Sequence, residues 1–404
     1  MVPEGWTSKA VGDVCNFING NGFKSSEWAD RGLPIIRIQN LNGASQYNYF
    51  DGEPKEKWIV NPGDILFAWA GTKGVSFGAK KWLGPRGVLN QHIFKVEPQI
   101  DLYKEWFYLA LLRITQRVEN KAHGFKSTLV HVQKSDITEQ VLHVPPLPEQ
   151  KKIAQILSTW DQAITATERL LENSQQRKKA LMQQLLTGKK RLPGFEGEWS
   201  KTNLGSAGKI SSAGVDKKIV DGEQKIRLLN FLDVFRREFI FDRELNHAVT
   251  APDRKIANCN VQKGDVFFTP SSETRDEIGL SAVAVEDMPG VVYSYHIVRF
   301  RPNQPMDLNF SAYVFQTDEF RSQTYRLCDG SGQRYVLSQD GFRGVQFSIP
   351  TLDEQRAIGR VLKAASDEVS ALSDRVKYLK QEKKALMQQL LTGKRRVKVD
   401  TEVA

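Results

Sequence analysis

KKALMQQLLTGK fills Lys178 to Lys189, and the same twelve letters return at Lys383 to Lys394, 205 residues further on in a chain of 404. One copy closes each half, and no other stretch repeats so literally. The repeat decides the fold: the chain is a duplication whose halves each end in a long helix. Upstream of the first copy, Ile153, Leu157, Trp160, Ile164, Thr167, Leu171, Ser174, Lys178, Leu181 and Leu185 alternate spacings of four and three. That is a heptad seam, interrupted by Thr167, Ser174 and Lys178. Gly188 supplies the stop. The offset carries this seam onto Ile358, Leu362, Ala365, Val369, Leu372, Val376, Leu379, Lys383, Leu386 and Leu390, where only Lys383 is polar. A helix over Pro148 to Thr187 spans about 60 Å. A lone helix cannot bury such a seam. The economical partner is its own copy, and a duplicated arrangement requires the two to run antiparallel. The alternative is that each helix packs only on its own globular segment.

Outside the helices the pattern is mixed. Pro34-Ile35-Ile36-Arg37-Ile38 and Asp64-Ile65-Leu66-Phe67-Ala68-Trp69 are short apolar runs between Gly, Asn and Pro, which predicts strands. Asp101 to Glu119 places Leu102, Trp106, Leu109, Leu112 and Ile114 at helical spacing. Val144-Pro145-Pro146-Leu147-Pro148 reads as a stiff end to the first globular segment. The second segment echoes the first. Ile36-Arg37-Ile38-Gln39-Asn40 matches Ile226-Arg227-Leu228-Leu229-Asn230, Gly63-Asp64 matches Gly264-Asp265, and Gln91-His92-Ile93 matches Tyr295-His296-Ile297. The offset drifts, so these loops have diverged while the helices have not. The expected class is α+β: two mixed α/β domains at 1–145 and 189–349, long helices at 146–188 and 350–393, and a basic tail at 394–404.

Lys and Arg number 57 against 47 Asp and Glu, an excess of 10 that favours a polyanionic partner. Cys15, Cys259 and Cys328 are far apart and fit reduced core residues. With no membrane-length apolar run and no signal-peptide pattern, the expected location is cytoplasmic. Catalytic signatures are missing: no phosphate loop, no Asn-Pro-Pro-aromatic run for amino-methyl transfer, and no His or Cys spacing for a metal. His92 and His296 lie in matched strand-like runs and read as structural. Trp6, Trp28, Trp58, Trp69, Trp82 and Trp106 read as core. The basic ends Lys189-Lys190-Arg191 and Lys394-Arg395-Arg396 fit simple complements to a helix dipole.

Leu147-Pro148-Glu149-Gln150 with Leu185-Leu186-Thr187-Gly188-Lys189 has copies at Leu352-Asp353-Glu354-Gln355 and Leu390-Leu391-Thr392-Gly393-Lys394. With a Gly-Asp before an apolar strand in each globular segment, this order resembles the specificity subunit of type I restriction-modification systems along essentially the whole chain. The resemblance implies two target-recognition domains, each reading half of a bipartite double-stranded DNA sequence, spaced by an antiparallel coiled coil. It implies two methyltransferase subunits and two restriction/translocase subunits as partners. It also implies no catalysis and no cofactor on this chain, with S-adenosylmethionine, ATP and Mg2+ on the partners. The rival reading is a duplicated coiled-coil interaction scaffold without sequence-specific DNA binding.

Phosphates are met by Lys or Arg and bases by Arg, Lys, Asn or Gln on elements that enter a groove. Candidate reading loops hold Thr72 and Lys73, and Lys126 and Ser127, in the first segment. Their counterparts in the second hold Ser272, Thr274 and Arg275, and Gln333, Arg334 and Tyr335. Each loop combines a cation, small hydroxyl residues and, usually, glycine. Plain solvated turns are the alternative.

Overall fold

The structure is a computed structural model and describes residues 2–121, 129–331 and 334–399. Residues up to Ala166 together with those from Val376 form one compact unit, and Thr167–Arg375 forms the other.

Each unit contains one globular head, and the two heads share a topology. In the first, strands Cys15–Asn19, Ile93–Pro98, Ile65–Ala68 and Gly78–Lys81 form an antiparallel sheet in that order. Its fully buried strand Ile65–Ala68 is the apolar run that follows Gly63-Asp64. A second sheet orders Asn48–Phe50, Leu33–Ile36, Gly87–Leu89 and Ile59–Val60, with Leu33–Ile36 and Gly87–Leu89 parallel. The other head repeats the plan. Gly208–Ser211, Val298–Pro302, Val266–Phe268 and Ser281–Ala284 make the first sheet, extended by Phe239–Ile240. Ala248–Ala251, Gln224–Leu229, Met288–Tyr293 and Asn260–Val261 make the second, again with one parallel pair, Gln224–Leu229 beside Met288–Tyr293. Helix Lys104–Lys121 packs on the first head's main sheet; Leu308–Val314 and Asp318–Arg326 do so in the second head.

The Gly-Asp pair has a local cause. Gly63 and Gly264 turn the chain at φ 90° and 88°, where a side chain is strained. The following carboxylate closes the turn: Asp64 Oδ2 accepts the Asn61 amide at 2.9 Å, and Asp265 Oδ2 accepts the Gln262 amide at 2.8 Å. Asp265, almost fully buried, also accepts from Nε and Nη2 of Arg301 at 2.6 Å each.

The long helices span Leu147–Leu185 and Leu352–Leu390, 39 residues each, with both ends 205 residues apart. The first begins inside the proline run: Leu147 and Pro148 lie in its opening turn, where proline's missing N–H costs nothing. Of the first seam, Ile153, Leu157, Ile164 and Leu185 are buried, and Trp160, Leu171 and Leu181 half-buried. Of the second, Ile358, Leu362, Val376, Leu379 and Leu390 are buried, and Val369, Leu372 and Leu386 half-buried. Ile153, Ala154 and Leu157 join one core with Met387, Leu390 and Leu391, while Leu185 and Leu186 join another with Ile358 and Leu362. In each unit the start of one helix meets the end of the other, so they run antiparallel. Both cores include head residues, Trp106 and Phe310 among them, so the helices pack on each other and on the heads alike.

Two details differ from the sequence reading. Only Trp6, Trp82 and Trp106 of the first head's tryptophans are buried; Trp28 is exposed, and Trp58 and Trp69 are half-covered. His92 and His296 sit in turns between strands, His92 exposed and His296 half-buried, because the chain reverses there before Ile93 and Ile297 enter the core. The three cysteines are buried and unpaired, as expected of reduced core residues. Among the described residues, no helix is long and apolar enough to cross a membrane.

Candidate nucleic-acid interface

In the first head, strand Ala70–Thr72 pairs antiparallel with Leu129–His131, setting Thr72 opposite Leu129 and Ala70 opposite His131. Lys73 stands exposed at the turn that follows. That turn is tightly built. The Thr72 amide donates to Ser76 Oγ at 2.7 Å, and the Gly74 amide donates to Glu119 Oε1 at 2.8 Å, tying the turn to helix Lys104–Lys121. Lys126 and Ser127 lie outside the described residues.

The second head builds the same ladder more fully. Ser271–Ser272 pairs with Arg334–Leu337, which pairs in turn with Cys328–Ser331. Two segments more than sixty residues apart in sequence therefore meet, with Ser272 opposite Tyr335 and the Arg334 Nη2 donating to Ser271 Oγ at 2.9 Å. The Arg275 guanidinium lies 4.9 Å from the centre of the Tyr335 ring and 5.7 Å from that of Tyr325. This stack presents a flat cation and aromatic surface suited to phosphate or base contact. Ser272 is turned inward: its hydroxyl donates to Glu277 Oε2 at 2.6 Å. That bond, with help from Thr274 and Arg236, holds the Glu277 carboxyl below its usual range. Thr274 is exposed, and Gln333 lies outside the described residues. The segments expected as loops are thus partly strands, since each supplies the edge that the other needs.

Some of the other basic groups pair at the surface. Lys81 meets Glu105 at 3.5 Å, Lys218 meets Asp216 at 3.1 Å and Arg236 meets Glu277 at 3.0 Å.

The helix ends hold an arrangement that the sequence reading missed. Glu354, in the first turn of the second long helix, is buried and receives Arg191 Nε at 2.5 Å and Nη2 at 2.7 Å. Glu149, in the first turn of the first long helix, is buried and receives Arg396 Nε at 3.0 Å and Nη2 at 2.5 Å. Each arginine also faces a tryptophan, Arg191 over Trp199 and Arg396 over Trp6. Both basic ends therefore close a buried ion pair, a stronger constraint than a helix dipole alone. The available signal was the offset itself: Glu149, Glu354, Arg191 and Arg396 are two pairs separated by the same 205 residues.

The seam lysines obey the same symmetry. Lys178 donates to Ser366 Oγ at 3.0 Å and pairs with Glu238 of the head, while Lys383 pairs with Asp161. Ser366 and Asp161 are equivalent positions. Where the first unit places a carboxylate on the helix, the second borrows one from its head, and Glu238 also accepts from Ser366 at 2.7 Å and Tyr313 at 2.9 Å. Burial and the Glu238 charge push the Tyr313 hydroxyl well above its usual range. Ser174, another polar seam residue, donates to Glu368 Oε1 at 2.9 Å. Among the described residues, no group of three or more His, Cys, Asp or Glu side chains is arranged to hold a metal.

Comparison with known proteins agrees with this layout. Residues 3–173 match the model of the type I restriction modification DNA specificity domain. The chain is 24% identical to the MjaVIII specificity subunit of Methanocaldococcus jannaschii, over 98% of this chain and 94% of that protein. It is 25% identical to the EcoBI specificity subunit of Escherichia coli, over 89% and 79%. Among solved structures it is similar to a chain of a type I restriction-modification system, with a TM-score of 0.63, 16% identity and coverage of 97% and 99%. It is also similar to the specificity subunit from M. genitalium, with a TM-score of 0.53, 15% identity and 96% of both chains covered. The chain is thus similar, over most of its length, to specificity subunits of type I restriction-modification systems.

Proposed function

We propose that each head reads one half of a bipartite duplex target, and that the paired long helices set the gap between the half-sites. The target-recognition domains are 1–145 and 189–349, the spacer helices 146–188 and 350–393, with the tail at 394–404. The observation that carries this reading is the recurrence of one ladder in two unlike versions. The first head offers Thr72 and Lys73, and the second the Arg275–Tyr335 stack with Arg334. The helices, by contrast, end in identical sequence. Two different reading surfaces on one repeated frame suit two different half-sites. Identical helix ends suit two copies of one partner, the methyltransferase subunit, with two restriction/translocase subunits completing the complex. S-adenosylmethionine, ATP and Mg2+ belong to those partners, this chain binds no cofactor, and the complex works in the cytoplasm.

Filter binding tests the reading. With the methyltransferase partner present, the full chain should hold one bipartite duplex tightly, with affinity falling steeply as salt rises. Arg275→Ala should weaken binding by roughly tenfold and flatten the salt dependence by about one phosphate contact. Equal binding to all duplexes would sink the reading. Inserting four residues after Leu171 should advance that helix by about 6 Å and change the preferred gap. A complex that kept its original gap would refute the spacer role.

A further inference from the structure

The matched turns at His92 and His296 remain without a function, and both are constructed in the same way. Strand Cys15–Asn19 leads through Gly20 to Asn21, which bridges Asn90 in parallel. Strand Gly208–Ser211 leads through Gly214 to Val215, which bridges Ser294 in parallel. Both glycines are required by close approach. A Cβ on Gly20 would stand 2.2 Å from the Asn90 carbonyl oxygen, and one on Gly214 would stand 2.2 Å from Ser294 backbone. The backbone that displays the turn is thus fixed identically in the two heads.

The side chains displayed there differ, and Gln91, His92 and Tyr295 are exposed. The first head shows Gln91 and His92 beside a cleft of about 250 Å³ that Arg37, Gln39 and the exposed Trp28 also line. The second shows Tyr295, its ring 3.9 Å from that of His296, beside a cleft of about 370 Å³ that includes Asp216, Lys218 and Lys255. The turns also adjoin the ladders. Trp69 precedes strand Ala70–Thr72, donates its Nε1 to the Gln91 carbonyl at 3.1 Å, and lies 5.2 Å from the His92 ring and 4.8 Å from that of His131. In the second head burial, and then the charges of Lys217 and of Arg334 on the ladder, hold the His296 imidazole below its usual range. A neutral imidazole both donates and accepts, which suits base edges better than phosphates.

Resting on the DNA-recognition reading above, we propose that the turns Asn90–His92 and Ser294–His296 are base-reading elements of the two heads beside the reading ladders, whose cations Lys73 and Arg275 contact phosphate. A fixed backbone carrying divergent amide, aromatic and cationic side chains is what base discrimination requires. Gln91 and Arg37 supply the two side-chain types that read adenine and guanine by paired hydrogen bonds. Tyr295 supplies a ring for apolar or stacking contact.

The test uses the full chain with its methyltransferase partner and a pool of duplexes randomised in both half-sites. Gln91→Ala should relax one base position in one half-site, lowering discrimination roughly 5- to 100-fold, and leave the other half-site unchanged. Tyr295→Ala should do the reverse. Gln91→Glu, which removes the amide donors and keeps the shape, should shift the preferred base at the same position. Lys73→Ala should instead weaken all sequences alike. Unchanged base profiles in the Gln91 and Tyr295 variants, with a selective wild-type complex, would overturn the assignment of the turns. An unselective wild-type complex would overturn the DNA-recognition reading itself.

Discussion

Arg191→Met is expected to destabilise the chain by about 3–5 kcal/mol, because Glu354 would keep its charge in a site that is 1% exposed. The wild-type carboxylate receives two guanidinium hydrogen bonds, and Arg191 also reaches the carbonyl of Glu196 at 3.2 Å. Arg396→Met should cost less. Trp6 Nε1 still donates to Glu149 at 3.2 Å, and Arg396 is itself 43% exposed. Urea unfolding followed by tryptophan fluorescence would rank the two variants. The double change Arg191→Met with Glu354→Met separates charge burial from packing. It should recover much of the loss, since apolar replacement of both partners removes the buried charge together with its mate. A double variant as unstable as the single one would show that shape, and not the stranded carboxylate, is the cause.

Leu157→Ala and Leu362→Ala form the second expectation, about 2–5 kcal/mol each. Both leucines are 0% exposed, and they are equivalent positions of the repeat. Leu157 belongs to the core that includes Met387 and Leu390, and Leu362 to the core that includes Leu185 and Phe310. With no shared partners, the two costs should add to within about 0.5 kcal/mol. Strong coupling between them in the double variant would show that the cores do not respond independently. A smaller effect comes from the turn platform: Gly214→Ala should cost about 1–3 kcal/mol, since the new Cβ meets backbone that cannot yield.

The helices were legible because their information is periodic. A seam of alternating fours and threes, a glycine stop and an exact copy define element, length and register without tertiary knowledge, and both helices begin and end in register. Paired polar groups were less legible. Arg191 and Arg396 lie beyond the helix ends, and only the antiparallel packing brings each to the glutamate that starts the other helix. The reading ladders were legible as residues but not as structure. A two-residue strand such as Ser271–Ser272 has no periodicity of its own, and it exists because Arg334–Leu337 pairs with it. His92 and His296 are legible as a repeat but not as turns, since an apolar run resembles a strand right up to the turn that interrupts it.

The sequence by itself determined the duplication, the two equal helices and the resemblance to a family, because those rest on repeats and spacings that one chain carries in order. Tertiary structure decided which charges meet, which tryptophans are covered and which polar side chains remain on the surface of each head. Those outcomes depend on residues tens to hundreds of positions apart, whose desolvation and hydrogen bonding are set only when the chain closes.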